Sequence, residues 1–304
     1  MRNVRFKEFP PGWGHLFVPT GSRAEAAAGI ALYTPGSVRG IVAQRAAWWA
    51  VRWAGPALLP GRARPWDPPM DAATWEALRA ELMDAAGGFD AWAGYVRRGG
   101  RSGLLLLLLR GGTPVGFVKA RLGGGAVVAN EHRAIEEVFA AHPTAFTALE
   151  PLGTGTCGNW SYLITAPLPP RLHRRADDAI LPAVLDDVQR ALAGHRQPAG
   201  TPAHWVPAHG DFAPWNVRRI RRHGTFLIDW EEAGWAPPGA DLVYYAACAA
   251  ALGRPVREVT IEPGEAARFC WQQVRSRIDH RLQLGGTVTD LDRGLLAALA
   301  PGAP

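Results

Sequence analysis

Lysine is almost missing from this sequence: of 33 basic residues only Lys7 and Lys119 are lysines, and the other 31 are arginines. Cysteine is scarce as well. Cys157, Cys248 and Cys270 form an odd set with no C-x-x-C pair, which argues against a disulfide framework or a zinc knuckle and suits a reducing cytoplasm. The leucine run at 104–109 falls far short of the roughly 20 residues that a bilayer span needs. It sits between Gly103 and Arg110 and reads as a buried strand, so no stable membrane insertion is expected. The opening MRNVRFKEFPPGWG is charged and broken by proline and glycine, and carries no apolar signal pattern.

What is present points to a globular protein. The 304 residues, 48% hydrophobic and 20% charged, suffice for one large or two modest domains. The net charge of +6 is unevenly spread. From 225 onward ten acids face seven arginines, a net of −3, which leaves +9 on the first 224 residues. A basic front suits an anionic ligand, and an acidic back a neutral or cationic one. The arginine excess reads as solvated surface, and no nucleic-acid partner is expected.

Along the chain, residues 1–90 read as a helical extension packed on the N-terminal lobe. SRAEAAAGIALY is helical, and VRGIVAQRAAWWAVRWAG is a second helix ended by Gly55-Pro56. Trp48, Trp49 and Trp53 with Arg45 and Arg52 fit either an interfacial helix or, the favoured reading, a helix packed on its own domain. DAATWEALRAELMDAA is a third helix with Asp71 as N-cap. Residues 91–166 then read as strands around one helix, 130–142, with Asn130 as its N-cap, and 164–170 as a proline-rich hinge. From 167 to 304 the chain is mostly helical, with one hairpin. The fold class expected is α+β, a β-rich N-terminal lobe and a mostly helical C-terminal lobe.

Two short stretches carry chemistry. HGDFAPWN, 209–216, sets Asp211 and Asn216 five residues apart, and FLIDW places Asp229 in an apolar run. Between them NVRRI-RRHG-TFLIDW reads as a hairpin, which returns the chain so that two carboxylates and an amide meet. Hard oxygen ligands of this kind hold Mg²⁺ completed by phosphates. A charge inside an apolar run needs a partner or a metal; the plainer alternative for Asp229 is a turn cap.

HGDFAPWN followed by LIDWEEAGWAPPGADL resembles the aminoglycoside phosphotransferase/choline kinase superfamily, whose signature is H-G-D-x-x-x-x-N, an Asp-Trp-Glu after a hairpin, and a later Asp-Leu. The resemblance implies a bilobal protein-kinase-like fold with ATP and Mg²⁺ as cofactors. By it, Asp211 orients the acceptor hydroxyl and takes its proton, Asn216 and Asp229 hold Mg²⁺, and Asp241 anchors the catalytic loop. His209 reads as a structural support, while Glu231 and Glu232 face either acceptor or solvent. Such an enzyme needs a cation on the phosphates, and Lys119 in the strand VGFVKARL fits that need. Its partner is expected on the next helix, at Glu131, with Glu136 and Glu137 as alternatives. The glycine-rich turn 97–103 would cover the phosphates, with Ser102 adding a hydroxyl, and the backbone at Thr165 and Ala166 would meet the purine. The P-loop signature G-x-x-x-x-G-K-[ST] is absent.

The function expected is transfer of the γ-phosphoryl group of ATP to a hydroxyl of a sugar, an aminoglycoside-like molecule or an amino alcohol. A catalytically inactive kinase-like binding module is the alternative. A metal hydrolase built on His209, Asp211 and Asp229 leaves Asn216 and Lys119 unexplained. The tail after DLVYYAACAA, 241–250, is short for the substrate-binding part of an aminoglycoside kinase, which weakens the antibiotic as acceptor.

Overall fold

The structure is a computed structural model and describes residues 4–12, 14–32, 38–97, 103–256, 259 and 261–300. The chain divides into two compact units: residues up to Ala129 with Leu149–His173, and Asn130–Ala148 with everything from Arg174 onward. One is β-rich and the other mostly helical, the α+β class expected.

In the first unit the strands are β1 (Phe6–Glu8), β2 (Leu16–Pro19), β3 (Ala91–Val96), β4 (Gly103–Arg110), β5 (Thr113–Leu122), β6 (Pro151–Cys157) and β7 (Trp160–Thr165). They form one sheet in the order β1-β2-β3-β4-β5-β7-β6, in which every pairing is antiparallel. The leucine run is β4. Successive side chains of a strand point to opposite faces, so burial of Leu104 and Leu106 through Leu109 means that both faces are covered. On one side α3 (Ala72–Ala85) presents Trp75, Leu78 and Leu82 at helical spacing to that core. In β2, Phe17 joins the same core, whereas Leu16 and Val18 face the opposite way and pack with α1 (Arg23–Ala31) and α2 (Val38–Ala54). Ser22 and Asp71 cap α1 and α3 by accepting the amides of Glu25 and Thr74.

Two departures from expectation concern local signals. The front stretch contributes β1 and β2 besides its helices, and strands of three or four residues show no alternation to read. The next helix, α4, spans Gly125–Ala140 and begins five residues before Asn130. Asn130 is therefore inside the helix, and its amide donates to the carbonyls of Glu231 and Ala233 at 3.3 and 3.0 Å.

The second unit continues with β8 (His173–Arg175), α5 (Leu181–Ala191), β9 (Val206–Ala208), β10 (Val217–Ile220), β11 (Gly224–Leu227), β12 (Gly234–Ala236), α6 (Ala240–Ala251), α7 (Glu265–Gln283) and α8 (Asp290–Leu299). The expected hairpin is β10–β11, in register from Val217↔Leu227 to Ile220↔Gly224. Strand β9 pairs with β12. The core gathers Tyr244 and Cys248 from α6, Val274 and Ile278 from α7, and Leu295 and Leu299 from α8. Among the described residues no helix is long and apolar enough to cross a membrane.

Candidate active site

The loop after β9 is fixed from α6. Asp241, in the first turn of that helix, accepts the His209 amide at 2.7 Å and the Gly210 amide at 3.0 Å, one on each oxygen. Burial pushes its pKa up, while His209 and these two amides pull the other way. Gly210 has φ +77°, and a Cβ there would lie 2.0 Å from the Glu232 carbonyl oxygen, so only glycine fits. His209 is fully buried with its ring 4.5 Å from that of Trp230. Nε2 lies 3.1 Å from the Ile228 carbonyl and Nδ1 accepts the Asp211 amide at 3.3 Å. Both ring nitrogens are thereby committed to backbone, so His209 is a brace for the loop.

Asp211 is held on both oxygens. Asn216 Nδ2 donates to Oδ2 at 3.0 Å and to the Asp211 carbonyl at 2.9 Å. Arg277 Nη1, arriving from α7, donates to Oδ1 at 3.0 Å and to the Tyr244 hydroxyl at 3.1 Å. Its Nη2 donates to the Gly210 carbonyl at 3.1 Å, and its Nε stands 3.8 Å from Glu232 Oε1. The Arg277 and Asp211 side chains are only 19% and 17% exposed. Burial raises the Asp211 pKa; Arg277 opposes that rise, and the nearby Asp229 and Glu231 add to it. For Arg277 burial acts against the charge, but Tyr244, Asp211 and Glu232 outweigh it and hold the guanidinium protonated.

Asp229 follows β11 and takes the left-handed conformation, φ 73° and ψ 62°, which a non-glycine residue rarely adopts. The Ile228 amide donates to the Asn216 carbonyl at 3.2 Å, so the hairpin does bring this acid back to the loop. Carboxylate oxygens of Glu131, Asp229 and Glu231 lie within 4.8 Å of one another. Like charges at about 4 Å repel by ~1 kcal/mol even in water and by several where the dielectric is lower. A set of oxygen donors this close suits a hard divalent cation.

Glu136 and Glu137, the other acids of α4, are engaged elsewhere: Glu136 lies 3.3 Å from His132 and Glu137 2.8 Å from His195. In the β-rich unit, Lys119 is 9% exposed on β5, in register with Leu105 of β4 and Leu163 of β7. Thr165 is buried, and its hydroxyl makes no hydrogen bond among the described residues. The Ala166 amide donates to the Glu150 carbonyl at 2.8 Å. Ser102 and most of its glycine-rich turn lie outside the described residues.

Residues 127–277 match the family model for the phosphotransferase enzyme family. The chain belongs to that family. Solved structures similar to this phosphotransferase include a spectinomycin phosphotransferase in complex with ADP and spectinomycin, at 10% identity and a TM-score of 0.47, covering 76% of this chain and 99% of that one. Another is an aminoglycoside phosphotransferase from Streptomyces rimosus, at 17% identity and a TM-score of 0.40, covering 75% and 98%. No curated protein matches the chain.

Around Asp211 the structure brings together Asn216, which sequence reasoning named, and Arg277 and Tyr244, which it missed. Tyr244 lies three residues beyond Asp241 on α6, and that helical spacing was a usable signal. Arg277 lies 66 residues after Asp211 among alternating charges, and nothing local marks it.

Proposed function

We propose that this phosphotransferase is an ATP-dependent kinase of small molecules that acts in the cytoplasm. Its acceptor is a hydroxyl of a sugar, an aminoglycoside-like compound or an amino alcohol. The observation that carries this reading is Asp211, gripped by Asn216 and Arg277 beside an all-oxygen acid cluster. In the reaction the acceptor O–H gives its proton to Asp211 as the oxygen attacks the γ-phosphorus, and the β–γ bridging oxygen departs with ADP. Burial raises the affinity of Asp211 for that proton, and Arg277 limits the rise while fixing the carboxylate's direction.

The donor chemistry fits Mg²⁺. Asp229 with Glu131 or Glu231 would hold it, and Asn216 would add its amide oxygen, since its nitrogen is committed to Asp211. When bound, the ion neutralises charge on the nucleotide phosphates. Lys119 is the candidate phosphate cation, and the backbone at Thr165 and Ala166 the candidate purine contact.

An ATP-consumption screen over sugars, aminoglycosides and amino alcohols, run with Mg²⁺, tests the proposal. Turnover with at least one acceptor, lost in Asp211→Asn, is expected. Nucleotide binding without turnover by any acceptor would support a binding module instead.

A further inference from the structure

Helix α2 has two faces of different kinds. Inward, Val51 and Trp48 are buried against Leu16, Val18, Ile30 and Leu59, and the Gln44 amide donates to the Ile30 carbonyl at 2.9 Å. Outward, Val42 is 61% exposed, Trp49 51% and Trp53 72%. With exposed Ala46 these positions run i, i+4, i+7, i+11, a single line along the helix. Arg45 and Arg52, seven residues apart and both exposed, form a parallel line beside it. The Arg52 guanidinium lies over the Trp48 ring at 5.3 Å, which holds it at the edge of the stripe. All 17 residues of α2, VRGIVAQRAAWWAVRWA, include no acid, and Leu58 just beyond is 58% exposed.

The outward face of a surface helix ordinarily carries polar residues. An outward line of Val and Trp whose charged neighbours on the helix are all arginines is the pattern of a helix that lies in a lipid interface. We propose that α2 docks the protein on an anionic bilayer surface. Trp49, Trp53 and Val42 enter the boundary between headgroups and acyl chains, and Arg45 and Arg52 meet anionic headgroups. Charge decides between this and a second copy of the chain. An antiparallel twofold contact along the stripe would bring the arginine lines of both copies to the same side with no acid on either helix, whereas an anionic surface compensates them. Tryptophan, apolar in body and polar at one edge, favours the same boundary. The contact is peripheral and reversible. It does not depend on the kinase reading.

The test is cosedimentation of the full chain with vesicles of phosphatidylcholine alone or mixed equally with phosphatidylserine. Binding to the mixed vesicles, weak on phosphatidylcholine and weakened by salt, is expected. Trp49→Ser/Trp53→Ser should abolish it, and Arg45→Glu/Arg52→Glu should weaken it on the order of tenfold or more. Because these side chains are exposed, the thermal midpoint should not move, and that serves as the folding control. Absence of binding to the mixed vesicles overturns the proposal, as does equal binding by the serine variant. A wild-type dimer in size-exclusion chromatography that the serine variant dissolves would also overturn it and assign the stripe to a second copy.

Discussion

Asp187 and Asp211 both belong to the helical unit and both meet an arginine. Asp187, on α5 and 2% exposed, accepts the amides of Thr144 and Ala145 at 2.6 and 2.7 Å on one oxygen and Arg190 at 2.7 Å on the other. Burial acts to raise its pKa, but those donors outweigh it and hold the carboxyl below its ordinary value. Asp211 also has donors on both oxygens, yet its pKa moves up, because burial is joined by two neighbouring acids, Asp229 and Glu231. Saturation with donors marks a carboxylate that serves the fold. Further carboxylates crowded around an equally well-held one suit a group that meets a ligand.

Exchanging each acid for its amide breaks the comparison most directly. Asp211→Asn should lower turnover about a thousandfold, read in a single-turnover ATP assay, because the proton acceptor is gone. Its thermal midpoint should shift less than that of Asp187→Asn. Next in size, Arg277→Met should reduce kcat by about a hundredfold, with KM for ATP little changed and partial recovery in Arg277→Lys. That split separates an arginine that aims Asp211 from one that merely holds α7 in place. Asp187→Asn should instead cost about 2 kcal/mol of stability in urea denaturation and leave the activity of the folded fraction intact. The smallest effect concerns pH. A carboxyl whose folded pKa is depressed stabilises the fold above its unfolded value, 3.8, and that contribution fades as pH falls through the folded pKa. Acid titration of the unfolding free energy should show a smaller loss below pH 3.8 in Asp187→Asn than in the wild type, the remainder coming from other depressed carboxyls such as Asp71 and Asp292.

The sequence displayed some parts of this molecule more openly than others. The β10–β11 hairpin was legible because a basic turn ending in Gly224 separates two short strand-like runs. Asp71 was legible as a cap because its side chain precedes an apolar helical period. The start of α4 was obscured because the helix begins at Gly125, at the end of a run of glycines, a residue that disfavours helix. Strands β1 and β2 stand on either side of Pro10-Pro11 and are too short for alternation to show. The grouping of Glu131 with Asp229 and Glu231 depends on a contact between segments about 100 residues apart, as does the Asn130 bond to Glu231. Charges such as Arg275 and Asp279 satisfy helical pairing, and the structure contains that pair at 4.0 Å. The same periodic pattern concealed Arg277, whose partners lie outside its own helix.

Arg277 precedes Arg281 by one turn of α7, and Arg281 is tied to Asp292 of α8, the acid that also completes the capping box with Thr289. The last helix of the fold is thus mechanically linked to the aim of a carboxylate that lies far from it in the chain. Fraying of α8 on gentle warming would loosen Arg277 while most of the unit keeps its secondary structure. Heat should therefore silence the enzyme before it melts it.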